Sequence, residues 1–283
     1  MKFLEIIKVI MFGVIQGITE WLPISSTGHM ILFNEFVNLN LSKEFLDLFL
    51  VLIQLASIFA VIFLYFRKIN PLKKVRGELK LNKDVLNLWS KIVVGCLPLF
   101  LGVFLDDFIH EKLYNSLIVS LALILYGLIF IVMEKRKEKP FVKKVSQIDY
   151  KKAFLVGIFQ ILAIIPGTSR SGATIIGSLS LGCSRFVATE FSFFLAIPTM
   201  LGASFYKTVK YILKFGLNFT FYEFFALLVG FVVSFVVSVF SIKIFTNYIK
   251  KHSFLVFGYY RIILGLVLLA YFYVINPIFF GIK

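Results

Sequence analysis

Thr19-Glu20-Trp21-Leu22-Pro23-Ile24-Ser25-Ser26-Thr27-Gly28-His29 breaks an apolar stretch near the start of the chain, and Pro166-Gly167-Thr168-Ser169-Arg170-Ser171-Gly172 breaks another in its second half. The arm before the first break, residues 4–18, is apolar but reaches only about 22 Å as a helix, against a hydrocarbon core about 30 Å thick. A second short arm, residues 30–39, follows the break. The other break has the same form, with arms at residues 153–165 and 173–183. Each region therefore reads as a re-entrant helix–loop–helix. Polar backbone at membrane depth is tolerated only where it faces protein or a wet cavity.

The two regions are related. Gly13 and Gly157, Gln16 and Gln160, Ser25 and Ser169, Gly28 and Gly172, and Ile31 and Ile175 each lie 144 positions apart, as in 157 − 13. Five identities at one offset inside matching loops indicate an internal repeat. Around them stand six apolar runs close to the roughly 20 residues a membrane helix needs: residues 46–66, 88–105, 116–133, 188–209, 221–244 and 254–274. Each half is then one re-entrant hairpin plus three spans. An odd number of spans makes the second half enter from the opposite side, the inverted-repeat plan in which a site forms between the halves. The expected fold is an all-α integral membrane protein with an inverted-topology repeat. It forms a single membrane domain over residues 1–283, with a first repeat at 1–134, a cytoplasmic linker at 135–152 and a second repeat at 153–275.

Composition agrees. Of the 283 residues, 59% are hydrophobic and only 16% charged, too few polar groups to cover a soluble fold of this size. A net charge of +15 would suggest nucleic acid in a soluble protein. Here the basic residues fall in short stretches between apolar runs, the pattern of cytoplasmic anchors, and no nucleic-acid partner is expected. Cys96 and Cys183 sit inside apolar segments, without disulfide or metal spacing. The start, residues 1–18, has no small-residue cleavage site and reads as uncleaved.

Charge also predicts orientation. The linker at 67–84 holds Arg67, Lys68, Lys73, Lys74, Arg76, Lys80 and Lys83. The linker at 134–152 holds Lys135, Arg136, Lys137, Lys139, Lys143, Lys144, Lys151 and Lys152. Between them, residues 106–115 set one lysine against Asp106, Asp107 and Glu111. The basic linkers are expected in the cytoplasm and the acidic one outside. Lys250 and Lys251 then fall inside, both termini outside, and Lys207, Lys210 and Lys214 outside as an exception. The first hairpin dips in from outside and the second from the cytoplasm.

Ionisable and polar groups at membrane depth are functional candidates by default. Here they are Gln16, Glu20, Ser25, Ser26, Thr27, His29, Thr168, Ser169, Arg170 and Ser171. Each loop delivers hydroxyls and glycine just before a helical arm, whose first turn has unpaired N–H groups and a dipole that favours negative charge. Two such ends facing one another would make an anion pocket. Ser25, Thr27, Gly28, Thr168, Ser169 and Ser171 are its candidate phosphate ligands. Arg170 adds a planar fork of donors matched to phosphate oxygens. The bland alternative is that the hydroxyls only cap their helices. His29 follows Ser26 by three residues, so the two can meet across one turn, with His29 as acid or base. Gln16 and Glu20 share a face at i and i+4. Glu20 needs a partner, and either Arg170 or a bound Mg²⁺ or Ca²⁺ would serve. His110 and His252 read as loop surface residues.

Gln16-Gly-Ile-Thr-Glu20-Trp-Leu-Pro-Ile-Ser-Ser-Thr-Gly-His29 and Pro166-Gly-Thr-Ser-Arg-Ser-Gly172 resemble the two signature motifs of the undecaprenyl-diphosphatase family, also called bacitracin-resistance proteins. The resemblance extends over essentially the whole chain. It implies hydrolysis of undecaprenyl diphosphate to undecaprenyl phosphate and inorganic phosphate at the outer face of a bacterial plasma membrane. It also implies Glu20, Ser26, His29 and Arg170 as the residues essential to activity. A divalent cation, Mg²⁺ or Ca²⁺, is expected at Glu20 with Gln16 nearby. Membrane lipids are expected partners, and a homodimer stays open. Ser26 activated by His29 is the favoured nucleophile, with an activated water as the other route. Two further readings compete. An inverted repeat could flip undecaprenyl phosphate between leaflets. An acid-phosphatase-like membrane enzyme would need a second histidine beside Arg170, and none follows before His252, which excludes it.

Overall fold

The computed structural model describes residues 3–37, 39–75, 78–103, 112–113, 115–136 and 139–276. Asp106, Asp107, His110 and Glu111 of the acidic loop, and Arg76 and Lys137 of the basic linkers, lie outside the described residues. Helix α1 (Phe3–Thr19) and α2 (Ser26–Phe36) form the first hairpin, and α3 (Lys43–Ile69), α4 (Lys83–Val103) and α5 (Ser116–Lys135) follow. The second half runs α6 (Tyr150–Ile161), a 3-10 turn (Leu162–Ile164), α7 (Arg170–Ser180), α8 (Arg185–Phe215), α9 (Phe221–Ile249) and α10 (Leu255–Ala270). The last turn, Tyr271–Ile275, widens to π-type bonding. Side chains of Ser42, Asn115, Asp149, Ser184 and Thr220 accept a first-turn N–H and so start five of these helices.

Among the described residues, five helices are long and apolar enough to cross a bilayer: α3, α5, α8, α9 and the α10 run to Ile275. The sixth expected span is helical from Lys83 to Val103, and its last two residues lie outside the described ones. One expectation needs correcting: the chain is not wholly helical. Within the first basic linker, β1 (Leu72–Val75) and β2 (Glu78–Leu81) pair antiparallel, with Leu72 opposite Leu81. Leu79-Lys80-Leu81 alternates at the strand period, and four residues a side are too few for a stable helix.

Packing crosses the halves. Helix α1 of the first half lies against α9 of the second, and α6 of the second lies against α4 of the first. Glycines permit both approaches. A Cβ on Gly13 would stand 3.0 Å from the Gly230 carbonyl oxygen, and one on Gly157 would stand 2.2 Å from the Gly95 carbonyl oxygen. Helix α3 packs on both α9 and α8, and α5 packs on α10. Exchanging the halves maps the α1–α9 contact onto α6–α4, whereas α3 packs far more closely on α9 than its counterpart α8 does on α4. The most enclosed span is α8, with 67% of its apolar window buried. It carries the central aromatic cluster of Phe191, Phe193 and Phe194, against which Trp21 packs edge-on at 5.1 Å.

Candidate active site

The two polar loops meet. In the first, α1 closes with the Glu20 N–H on the Gln16 carbonyl (3.1 Å), Pro23 interrupts the helix, and α2 restarts with Ser25 as its cap. Ser25 has φ 69° and its Oγ accepts from the Gly28 N–H at 3.4 Å. In the second loop, Ser169 has φ 71° and its Oγ accepts from the Gly172 N–H at 3.2 Å. These are the only non-glycine residues with positive φ among the described residues, and they are 144 apart, as 169 − 25. Left-handed backbone at a serine costs on the order of 1–3 kcal/mol. The same strained backbone thus starts both α2 and α7.

Glu20, 5% exposed, is the hub. Its Oε1 accepts from Arg170 Nη2 at 3.3 Å. Its Oε2 accepts from Gln16 Nε2 at 2.9 Å, Ser26 Oγ at 3.1 Å and Gln54 Nε2 at 3.4 Å. Arg170 also donates from Nη1 to the Ser192 carbonyl at 3.0 Å and lies over Trp21, 5.7 Å from its ring centroid. Ser171 Oγ stands 3.4 Å from the carbonyl oxygens of both Glu20 and Leu22, knitting the second loop onto the first.

The structure separates roles that the sequence grouped together. Ser25 and Ser169 spend their hydroxyls as caps, and Ser171 is a buried tie. Gly28 and the buried Thr168 are backbone participants: the Gly28 N–H goes to Ser25, and the Thr168 carbonyl accepts from Arg261. Ser26, Thr27 and Gln16 instead line an open cavity of about 690 Å³. Gln54 lines it too, as do Glu44, Asp47, Lys207, Lys210 and Lys214. The three lysines that were exceptions to the charge pattern thus border the cavity that reaches Ser26.

The expected Ser26–His29 pair is not what the described contacts show. Ser26 donates to Glu20, and His29 turns away along α2. Its Nδ1 is 2.7 Å from the Ser25 carbonyl oxygen and its Nε2 is 2.7 Å from Tyr260 Oη. A carbonyl can only accept, so Nδ1 carries the proton and the neutral ring takes the Tyr260 hydroxyl at Nε2. Spacing of i and i+3 permits a serine–histidine contact, but a tyrosine on α10 supplies the nearer partner.

Four participants stand outside the motifs: Gln54, Ser192, Tyr260 and Arg261. Arg261 is fully buried and donates to the carbonyls of Pro23 (3.1 Å), Gly167 (2.9 Å) and Thr168 (2.9 Å), so one side chain holds both loops. Gln54 and Arg261 each interrupt an apolar run, and that interruption is the signal in the sequence that marks them. Ser192 acts through its backbone carbonyl and Tyr260 through a hydroxyl among other aromatics, and neither leaves such a trace.

Among the described residues no three His, Cys, Asp or Glu side chains form a ready metal cage. One carboxylate, Glu20, flanked by the amides of Gln16 and Gln54, suits a hard cation that takes its remaining ligands from substrate phosphates and water.

Comparison with known proteins identifies the family. The family model described as Bacitracin resistance protein BacA matches residues 9–267. The chain is 54% identical over 275 residues to Undecaprenyl-diphosphatase 1 of Clostridioides difficile strain 630, covering 97% of this chain and 98% of that one. It is 53% identical over 275 residues to an undecaprenyl-diphosphatase of Enterococcus faecalis V583, covering 96% and 99%. It is 48% identical over 279 residues to Undecaprenyl-diphosphatase 1 of Clostridium acetobutylicum, covering 97% and 100%.

Proposed function

The chain belongs to the bacitracin resistance protein BacA family, and from that premise we propose that it hydrolyses undecaprenyl diphosphate to undecaprenyl phosphate and inorganic phosphate. The reaction returns the lipid carrier to cell-wall synthesis and deprives bacitracin of its target. The observation that carries this reading is one carboxylate, Glu20, holding the Arg170 guanidinium and the Ser26 hydroxyl at once, at the end of a cavity.

The chemistry follows from the contacts. At 3.3 Å, the Arg170–Glu20 bond is long beside the roughly 2.7–2.9 Å of a tight charge-assisted pair. A diphosphate oxygen can therefore take the guanidinium over. The N-terminal dipoles of α2 and α7 add positive potential beside it. Ser26 Oγ attacks the terminal phosphorus and passes its proton to Glu20 Oε2. The bond to the bridging oxygen breaks, undecaprenyl phosphate leaves, and water then frees phosphate from the serine. Glu20 thus takes the role that spacing alone had assigned to His29. His29 and Tyr260 form a second proton-bearing pair on α2, placed to orient its first turn. A divalent cation held at Glu20 and Gln16 would neutralise the diphosphate.

We assign the site to the outer face, on the excess of Lys and Arg in the linkers at 67–84 and 134–152. We assign the halves to an inverted-topology repeat with two re-entrant hairpins. The matched strain at Ser25 and Ser169 and the paired α1–α9 and α6–α4 contacts support that assignment. Related halves meeting at one site are also what would favour lipid flipping as a second activity, because alternating access moves one repeat against the other.

Purified protein in detergent, given undecaprenyl diphosphate, should release phosphate. A chelator should stop it, and Mg²⁺ or Ca²⁺ should restore it. Release no greater than that of Ser26→Ala would defeat the hydrolase reading. Lipid translocation that persists in Ser26→Ala would establish the flippase.

A further inference from the structure

The 31-residue α8 has a cavity at each end: Lys207, Lys210 and Lys214 border the one already described, and Arg185 borders another of about 440 Å³. The second cavity takes no part in the hydrolytic site. The basic linker that the sequence presents as a loose anchor builds it. The N–H groups of Phe141 and Val142 both donate to the Gly182 carbonyl at 3.1 Å, and the Ser184 N–H returns to the Val142 carbonyl at 2.9 Å. The linker is thereby stitched onto the turn between α7 and α8. Gly182 is required there: its φ is +81°, and a Cβ would stand 2.0 Å from the Phe141 ring.

The lining divides by chemistry. Arg136, Lys139, Arg185 and Lys250 supply four positive charges, and Ser180 and Ser184 supply hydroxyls. Met133, Leu179, Phe141, Phe186 and Ile249 form an apolar wall. Among the described residues Glu134 is the one carboxylate in the lining, and it is already committed. It is only 4% exposed, its Oε2 takes Arg185 Nη2 at 2.5 Å, and its Oε1 takes the Phe254 N–H at 2.9 Å. Fold integrity uses one cation, Arg185. The other three, Arg136, Lys139 and Lys250, are exposed along the lining of the same cavity. Their shared positive potential favours an anion, and the apolar wall favours one with a hydrocarbon body.

We propose that this cavity binds the phosphate head group of an anionic lipid, with the acyl chains along Phe141, Phe186 and Met133. Basic pockets between membrane helices take lipid phosphates by the same logic. The volume lies in the range of small-ligand sites, larger than a bare phosphate needs.

The test is native mass spectrometry of the full-length protein in detergent. Phosphatidylglycerol, phosphatidylcholine and inorganic phosphate are added in separate arms, to the wild type and to Lys139→Ala/Lys250→Ala. Both lysines are exposed and lie away from the hydrolytic site. The expected result is retention of phosphatidylglycerol over phosphatidylcholine, weakened on the order of tenfold in the double variant. Lipid-free thermal stability and phosphate release should be unchanged. Lys250→Gln alone should give a smaller loss in the same direction and serves if the double variant is poorly expressed. Equal retention of the two lipids would overturn the proposal. So would phosphatidylglycerol retention unaffected by the variants, or binding of inorganic phosphate without binding of the lipid.

Discussion

Replacing Arg170 by lysine keeps the charge and removes the fork, which makes it the sharpest perturbation of the site. The guanidinium serves two acceptors in different elements, the Ser192 carbonyl at 3.0 Å and Glu20 Oε1 at 3.3 Å, and lies over Trp21 at 5.7 Å. A lysine ammonium is a single point on a flexible stem and cannot hold both acceptors and the ring. Glu20 keeps a positive neighbour, so its buried carboxylate is not orphaned. The fold should lose only about 1–2 kcal/mol, the worth of one or two hydrogen bonds. Catalysis should suffer more, because one oriented donor to a developing phosphoryl charge is worth about 2.7–4 kcal/mol. At about 1.4 kcal/mol per factor of ten, kcat should fall roughly 100- to 1000-fold. Initial rates of phosphate release across a substrate series separate kcat from KM, and thermal unfolding in the same detergent checks the fold. A well-folded variant with kcat within about threefold of wild type would remove Arg170 from the transition state.

The second expectation concerns the histidine. Tyr260→Phe deletes the hydroxyl 2.7 Å from His29 Nε2 and should cost about 1 kcal/mol, or severalfold in kcat, while His29→Ala, which also removes the bond to the Ser25 carbonyl, should lower kcat further with the fold intact; a fully active alanine variant would strip His29 of its positioning role. At Ser169, with φ 71°, Gly relieves backbone strain while losing the cap, so Ser169→Gly should unfold near the wild-type temperature. Ser169→Ala loses the cap and keeps the strain, and should be about 1 kcal/mol less stable; equal midpoints would contradict the strained-cap reading. A cysteine replacing the exposed Asn115, in a background lacking Cys96 and Cys183, should react with an impermeant thiol reagent applied from outside. Reaction from the cytoplasm alone would invert the topology.

What the sequence carried by itself was everything encoded locally. Short arms around polar loops, punctuated by Pro23, Gly28, Gly167 and Gly172, marked the two hairpins, and an offset of 144 marked them as related. The apolar runs predicted α3, α5, α8, α9 and α10, because hydropathy and helix length are properties of a continuous segment. The first basic linker was legible as exposed and cationic but not as a β-hairpin, since strand pairing is settled between segments. Glu20, Ser26 and Arg170 could be nominated together because polar groups cannot lie idle at membrane depth. Their wiring could not be read off. Ser26 was expected to meet His29, three residues ahead, and the structure instead gives it Glu20, six residues behind. Tyr260 reaches His29 across 231 residues, and Arg261 joins carbonyls of both loops from the last helix. Such contacts depend on how α10 is rotated against α5 and α2, and that rotation is set by packing throughout the bundle, which no local stretch of sequence records.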